Sequence, residues 1–142
     1  MFQLVYVSTA AWPMSNSDID RILNLSRCNN GRLEITGVLV RMDQGFLQIL
    51  EGPKDSVLSV FAKVQRDLRH IGLRVLVQQE TADRLFADWA MGFEKLDPSA
   101  PQSAALYEVT QEAITTSLPT HKARGLAVLL HDYFRLNKRV AA

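Results

Sequence analysis

Apolar residues follow two different periods along the chain. Phe2, Leu4 and Tyr6 alternate with Gln3, Val5 and Val7, the two-residue period of a strand, which puts the first set on one face and both valines on the other. Trp12 and Pro13 break this run. Residues 15–30 (SNSDIDRILNLSRCNN) then take up helical spacing at Ile19, Ile22, Leu23 and Ser26. Ser15 or Ser17 suits the N-cap, and Asp18 and Asp20 suit the first turn. Residues 34–41 (EITGVLVR) and 45–51 (GFLQILE) predict a hairpin across Met42, Asp43 and Gln44. Pro53 opens a second helix running to His70, with a stripe of Val57, Val60, Phe61, Val64 and Leu68, and Gly72 ends it. Residues 73–80 predict a fourth strand and residues 89–96 (WAMGFEKL) a fifth.

The order β-α-β-β-α-β plus one strand predicts an α+β, ferredoxin-like sheet with two helices on one face. Residues 97–103 (DPSAPQS) shift to Pro, Ser and Asp, as a linker does. Two helical segments follow, 103–118 and 121–140, split by Pro119. The second carries Ala123, Leu126, Ala127, Leu130, Tyr133 and Phe134 on one broad side. The chain thus divides into a sheet domain, residues 1–96, and a helical extension, residues 97–142. The strands hold more apolar side chains than one helical layer covers, so the extension, or another chain, is expected on the back face of the sheet.

Composition narrows the function. Hydrophobic residues make up 47% and charged residues 22%, ordinary for a globular chain. A formal charge of +1 argues against direct capture of nucleic acid or of a membrane surface. The single cysteine, Cys28, allows no internal disulfide and fits a reducing, cytoplasmic setting. No apolar stretch reaches transmembrane length, and no Cys or His spacing suggests a metal.

The informative residues are polar ones at apolar positions. Gln48 sits in GFLQILEG between Phe46 and Leu50, on a strand with no obvious solvent face, so its carboxamide needs buried partners. Asn29 and Asn30 lie seven residues, about two helical turns, after Ile22 and Leu23, which places both near the apolar stripe. Tyr6 is expected on the same side of the sheet as Gln48. Singly, each has a plain structural role: a satisfied strand amide, a helix cap and turn, a core tyrosine. Together they offer a phenol and three carboxamides with no nucleophile or base tuned to neutral pH. That set suits gripping a flat heterocycle better than hydrolysis.

LVYVS, RCNNGRLEITGVL, GFLQILEG, RDLRH and the pair Trp89 and Met91 in WAM occur in the order and spacing of a known family. Over roughly residues 2–95 the chain resembles the BLUF domains, blue-light sensors that use FAD. The resemblance implies a flavin between the two helices, with Asn29 and Asn30 on its pyrimidine edge and Gln48 near N5 and O4. Lys63 falls where many members place an arginine, although Lys lacks the forked contact Arg makes. Arg69 and His70 are candidate phosphate or ribityl neighbours. FAD is the family's usual cofactor; the residues themselves leave FMN or riboflavin open, since no GxGxxG loop is present.

The resemblance also implies a mechanism. Light drives electron and proton transfer from Tyr6 through Gln48, which is left rotated or in another tautomer, and the flavin absorbs slightly to the red. Trp89 and Met91, expected on one face of the fifth strand, would relay the change to the tail helices. The tail is too short for a cyclase or phosphodiesterase. The expected partner is therefore a separate effector protein, such as a cyclic-dinucleotide enzyme or a transcriptional regulator, and a homo-oligomer is expected. On this reading the chain is a photoreceptor and not an enzyme. Two alternatives stand beside it: a cofactor-free ferredoxin-like interaction module, and a flavin oxidoreductase.

Overall fold

The computed structural model describes residues 1–97, 99–101, 103–115 and 119–137. Its elements are β1 (Phe2–Ala10), α1 (Asn16–Leu33), β2 (Thr36–Met42), β3 (Gly45–Gly52), α2 (Lys54–Gln65), β4 (His70–Glu80), β5 (Gly92–Lys95), α3 (Ala104–Thr115) and α4 (Thr120–Asn137). The five strands form one sheet in the order β4-β1-β3-β2-β5. β1 pairs antiparallel with β3 and β4, β2 and β3 form the hairpin, and β5 runs parallel to β2. The fold is α+β and ferredoxin-like, as the pattern predicts.

Element ends differ from the predicted ones for identifiable reasons. Ser15 caps α1: its hydroxyl accepts from the Asp18 N–H at 3.1 Å, and the Asp18 carboxylate accepts from the Ser15 N–H at 3.0 Å. The helix runs past Asn29–Asn30–Gly31 to Leu33, where Glu34 takes a left-handed conformation (φ 59°) and stops it. α2 ends at Gln65, five residues short of the predicted end. Leu68 therefore leaves the stripe and is 83% exposed, and His70 opens β4. β5 is only four residues long, so Trp89 and Met91 precede it in the β4–β5 connector. The predicted helical residues 116–118 and 138–140 lie outside the described residues.

Strand alternation sorts the core into two layers. Leu4, Tyr6, Leu39, Phe46 and Leu50 pack beneath α1 and α2 with Ile19, Val57 and Phe61. Val5, Val7, Val38, Val40, Leu47 and Ile49 face the other way, against Leu126, Leu130 and Phe134 of α4 and Ala113 of α3. The helical extension thus covers the back face that two helices could not. Polar ties hold it there. Arg74 of β4 donates to the Ala113 carbonyl at 3.2 Å and to that of Ile114, and Tyr107 donates to the Asp43 carboxylate at 3.2 Å. Gly37 is required where β2 meets β3, because a Cβ there would lie 1.9 Å from the Ile49 carbonyl oxygen.

Candidate functional site

A cleft of about 750 Å3, counting its open mouth, lies over the front face of the sheet between α1 and α2. Ile19, Ile22 and Asn30 of α1 form one wall, and Val60 and Val64 of α2 the other. Tyr6, Leu39 and Gln48 form the floor. Mostly apolar walls with a few convergent polar groups are what a small-molecule site requires.

The floor carries a line of three side chains. Tyr6 and Gln48 are directly opposed in the β1–β3 register. Both are nearly buried, and the Tyr6 hydroxyl donates to Gln48 Oε1. Gln48 Nε2 in turn donates to Met91 Sδ at 3.4 Å. The carboxamide therefore joins a phenol at its acceptor end to a thioether at its donor end. Burial pushes the Tyr6 phenol far above the ordinary tyrosine range, and the Asp67 carboxylate pushes it the same way. The phenol is a proton donor held neutral.

The two asparagines separate. Adjacent helix positions differ by about 100° around the axis, so only one can face inward. Asn30 is 2% exposed, lines the cleft and donates through Nδ2 to the Ala90 carbonyl at 3.1 Å. Asn29 is half-buried outside the lining, and its Oδ1 accepts from Arg32 at 3.4 Å. Arg27, which sequence reasoning missed, donates to the Met91 carbonyl at 3.0 Å. It lies three residues before Asn30, and that spacing is its only sequence signal.

At the mouth, Arg69 grips Asp67 with a 2.5 Å contact between Nη2 and Oδ2 and two further contacts at 2.9 Å. This pairing holds the Asp67 carboxyl below its ordinary range. His70 Nε2 lies 2.7 Å from the Val64 carbonyl oxygen. Asp67, Arg69 and His70 all line the cleft; Asp67 and Ser8 are liners the sequence reading did not select. Lys63 is exposed on α2 and outside the lining.

Trp89 and Met91 do not share a face, contrary to expectation, because they lie in the irregular connector and not on β5. Met91 joins the front layer with Tyr6, while Trp89 joins the back layer. The indole stacks edge-on against Phe134 of α4 at 5.8 Å between centroids and against Phe86 at 6.2 Å.

The donors present fit a flavin. A flat ring fits between two helix walls, the carboxamides of Asn30 and Gln48 offer both hydrogen-bonding senses, and the charged pair Asp67–Arg69 stays at the mouth. Among the described residues no group of His, Cys, Asp and Glu could hold a metal, and no helix is long and apolar enough to cross a membrane.

Comparison with known proteins identifies the family. Residues 1–92 match the family model described as sensors of blue-light using FAD. A photoactivated adenylate cyclase subunit beta from Euglena longa is 34% identical over 89 residues, which are 62% of this chain and 10% of that protein. A subunit alpha from Euglena gracilis is 40% identical over 70 residues, 49% of this chain and 7% of that one. The chain thus spans a small part of these relatives' length. A bacterial light-regulated adenylyl cyclase superimposes with a TM-score of 0.70 at 34% identity, over 80% of this chain and 34% of that one. BlrB, a BLUF protein in its dark state, superimposes with a TM-score of 0.79 over 96% of both chains. At 24% identity it speaks to the fold alone. The chain belongs to the BLUF family of flavin-based blue-light sensors.

Proposed function

We propose that this chain binds FAD in the front cleft and converts blue light into a rearrangement of the Gln48 carboxamide. The observation that carries the proposal is the position of Gln48, with Tyr6 at its oxygen and Met91 at its nitrogen. Asn30, Arg69 and His70 are assigned to cofactor binding alongside Gln48, and Asn29 and Lys63, outside the lining, to the rim. The flavin supplies blue-light absorption and an excited-state oxidant for the neighbouring phenol. In the dark Tyr6 keeps its proton and aims it at Gln48 Oε1. A phenol that gives up an electron becomes a strong acid, so its proton moves along that bond to the carboxamide oxygen. Return of the electron, together with a proton from Gln48, would re-form the phenol. Meanwhile Gln48 has been free to rotate or tautomerise. Its two ends have nearly equal size, so the swap reverses donor and acceptor without altering packing. Toward Met91, a donor is replaced by an acceptor, and the thioether loses its partner.

The change would then pass through the β4–β5 connector to α3 and α4, and from them to an effector on a separate chain. The cyclases among its relatives, and the cyclic-diGMP complex of BlrP1 among similar structures, support a cyclic-nucleotide or cyclic-dinucleotide enzyme as partner class. A transcriptional regulator fits the same surface logic, and a homo-oligomer would present two extensions at once. A boundary near residue 96, just past β5, suits this division into sensor and output. Absorbance of the purified protein tests the proposal. Bound flavin with a reversible red shift in blue light is expected. A protein that stays colourless after reconstitution would favour a cofactor-free interaction module, and steady NADH turnover would favour an oxidoreductase.

A further inference from the structure

Glu51 is a carboxylate with 0% exposure on the back face of the sheet, three residues beyond Gln48 on the same strand. An ionised group so placed is costly unless several donors converge on it. Here they do. The Leu85 N–H donates to Oε2 at 2.6 Å and the Phe86 N–H to Oε1 at 2.7 Å, so each oxygen takes one backbone donor from the β4–β5 connector. Burial raises the Glu51 carboxyl above the ordinary carboxylate range, and the Leu85 and Phe86 N–H groups act against that rise. Gln3 Nε2 approaches Oε2 at 3.5 Å, and Gln79 holds the other end of Gln3 at 2.8 Å. From outside, Arg84 covers the same junction. It donates to the carbonyls of Glu51 (3.1 Å) and Glu34 (2.6 Å) and to the Thr36 hydroxyl (2.8 Å).

The segment held this way begins at Leu85 and ends at Met91. Its far end is fixed by the Gly37 N–H on the Trp89 carbonyl at 2.9 Å and by Asn30 and Arg27 on the carbonyls of Ala90 and Met91. The segment carries Met91, which meets Gln48 in the front layer, and Phe86 and Trp89, which pack against the helical extension in the back layer.

We propose that Glu51 is a positioning residue that sets the β4–β5 connector, and so fixes how firmly Met91 is held against Gln48 and Trp89 against α4. Glu51 touches neither Tyr6 nor the cleft. It acts through two backbone N–H groups, and the lifetime of the light-adapted state depends on it because return requires Met91 to re-engage Gln48. The inference rests on the proposed sensing role of Gln48, and its test separates the two.

Glu51→Gln keeps the shape of the side chain but turns one oxygen into an N–H donor facing a backbone N–H. In the flavin-loaded variant, the amplitude of the red shift is expected to match the wild type, since Tyr6 and Gln48 are intact. Dark recovery is expected to be at least about fivefold slower, because an N–H group that lacks its acceptor loosens the connector and Met91 then re-engages Gln48 less readily. In the flavin-free protein, amide exchange at Leu85 and Phe86 is expected to rise about tenfold or more while exchange across β1 stays unchanged. Arg84→Met, a change nearer the surface, is expected to move both readouts in the same direction and serves if Glu51→Gln does not fold. Recovery within twofold of wild type in the folded variants, or unchanged exchange at Leu85 and Phe86, overturns the proposal. Absence of any red shift in the wild type would instead overturn the sensing role.

Discussion

Trp89 and Met91 are two residues apart and lie in different cores: the Met91 sulfur meets Gln48 in the front layer, and the Trp89 indole meets Phe134 of α4 in the back layer. The connector between them therefore reaches both layers, touching Gln48 on one side and the extension on the other. A displacement of Met91 has a short covalent path to Trp89, whose indole packs on α4.

This placement separates the two residues by experiment. Met91→Leu removes the acceptor of the Gln48 N–H and is expected to change the dark absorption maximum and the recovery rate. Trp89→Phe is expected to leave the dark spectrum unchanged, because the indole is not in the cleft. Trp89→Ala should cost about 3–5 kcal/mol of stability, as large-to-small changes in a packed core do. Thermal unfolding and absorbance of the three variants check this, and a spectral change from Trp89→Phe as large as that from Met91→Leu would count against it.

Gly92 gives the same junction a steric test. A Cβ there would lie 2.9 Å from Trp89 Cδ1 and 3.0 Å from Phe134 Cε1. Gly92→Ala must push one ring aside, with an expected loss of about 1–3 kcal/mol. Denaturant midpoints of the variant and the wild type measure it.

Asn30 and Asn29 should differ sharply. Asn30→Ala leaves the Ala90 carbonyl without its donor and removes a cleft carboxamide. Loss of about 1–3 kcal/mol corresponds to roughly fivefold to 150-fold weakening of flavin binding. Asn29→Ala is expected to stay within about threefold of wild type. Fluorescence titration of flavin onto the two flavin-free variants decides the point.

The Tyr6 phenol sets an alkaline limit. Its folded-state pKa is raised above the ordinary 10.0 by burial first and by Asp67 second. Above pH 10 the unfolded chain therefore loses this proton while the folded chain keeps it. The stabilisation is fully present below about pH 10 and is lost as pH rises toward the folded-state value. A phenolate absorbance titration of the folded protein should give the same number of ionising tyrosines up to about pH 11 in wild type and Tyr6→Phe.

Much of this fold is legible in the residues. Two-residue alternation assigns Tyr6 and Gln48 to one face and Val5, Val7, Leu47 and Ile49 to the other. The surplus of apolar strand residues calls for the second helical layer that α3 and α4 provide. Element ends are less legible. Nothing local marks the end of α2 at Gln65, because Leu68 keeps helical spacing. The faces of Trp89 and Met91 are not legible, because alternation holds only within a strand and their segment is irregular. Glu51 looks like an ordinary strand-end acid. Its partners are backbone N–H groups of residues 85 and 86, which no side-chain pattern announces.

The central claim is that the Gln48 carboxamide changes its hydrogen bonding when light acts on the flavin. A light-minus-dark infrared difference spectrum, recorded with and without isotope label in the glutamine side chains, tests it most directly. The expected result is a label-sensitive amide band that shifts in the light, decays at the rate of the red-shifted absorbance and vanishes in Gln48→Leu and Tyr6→Phe. A reversible red shift with no label-sensitive glutamine band would contradict it.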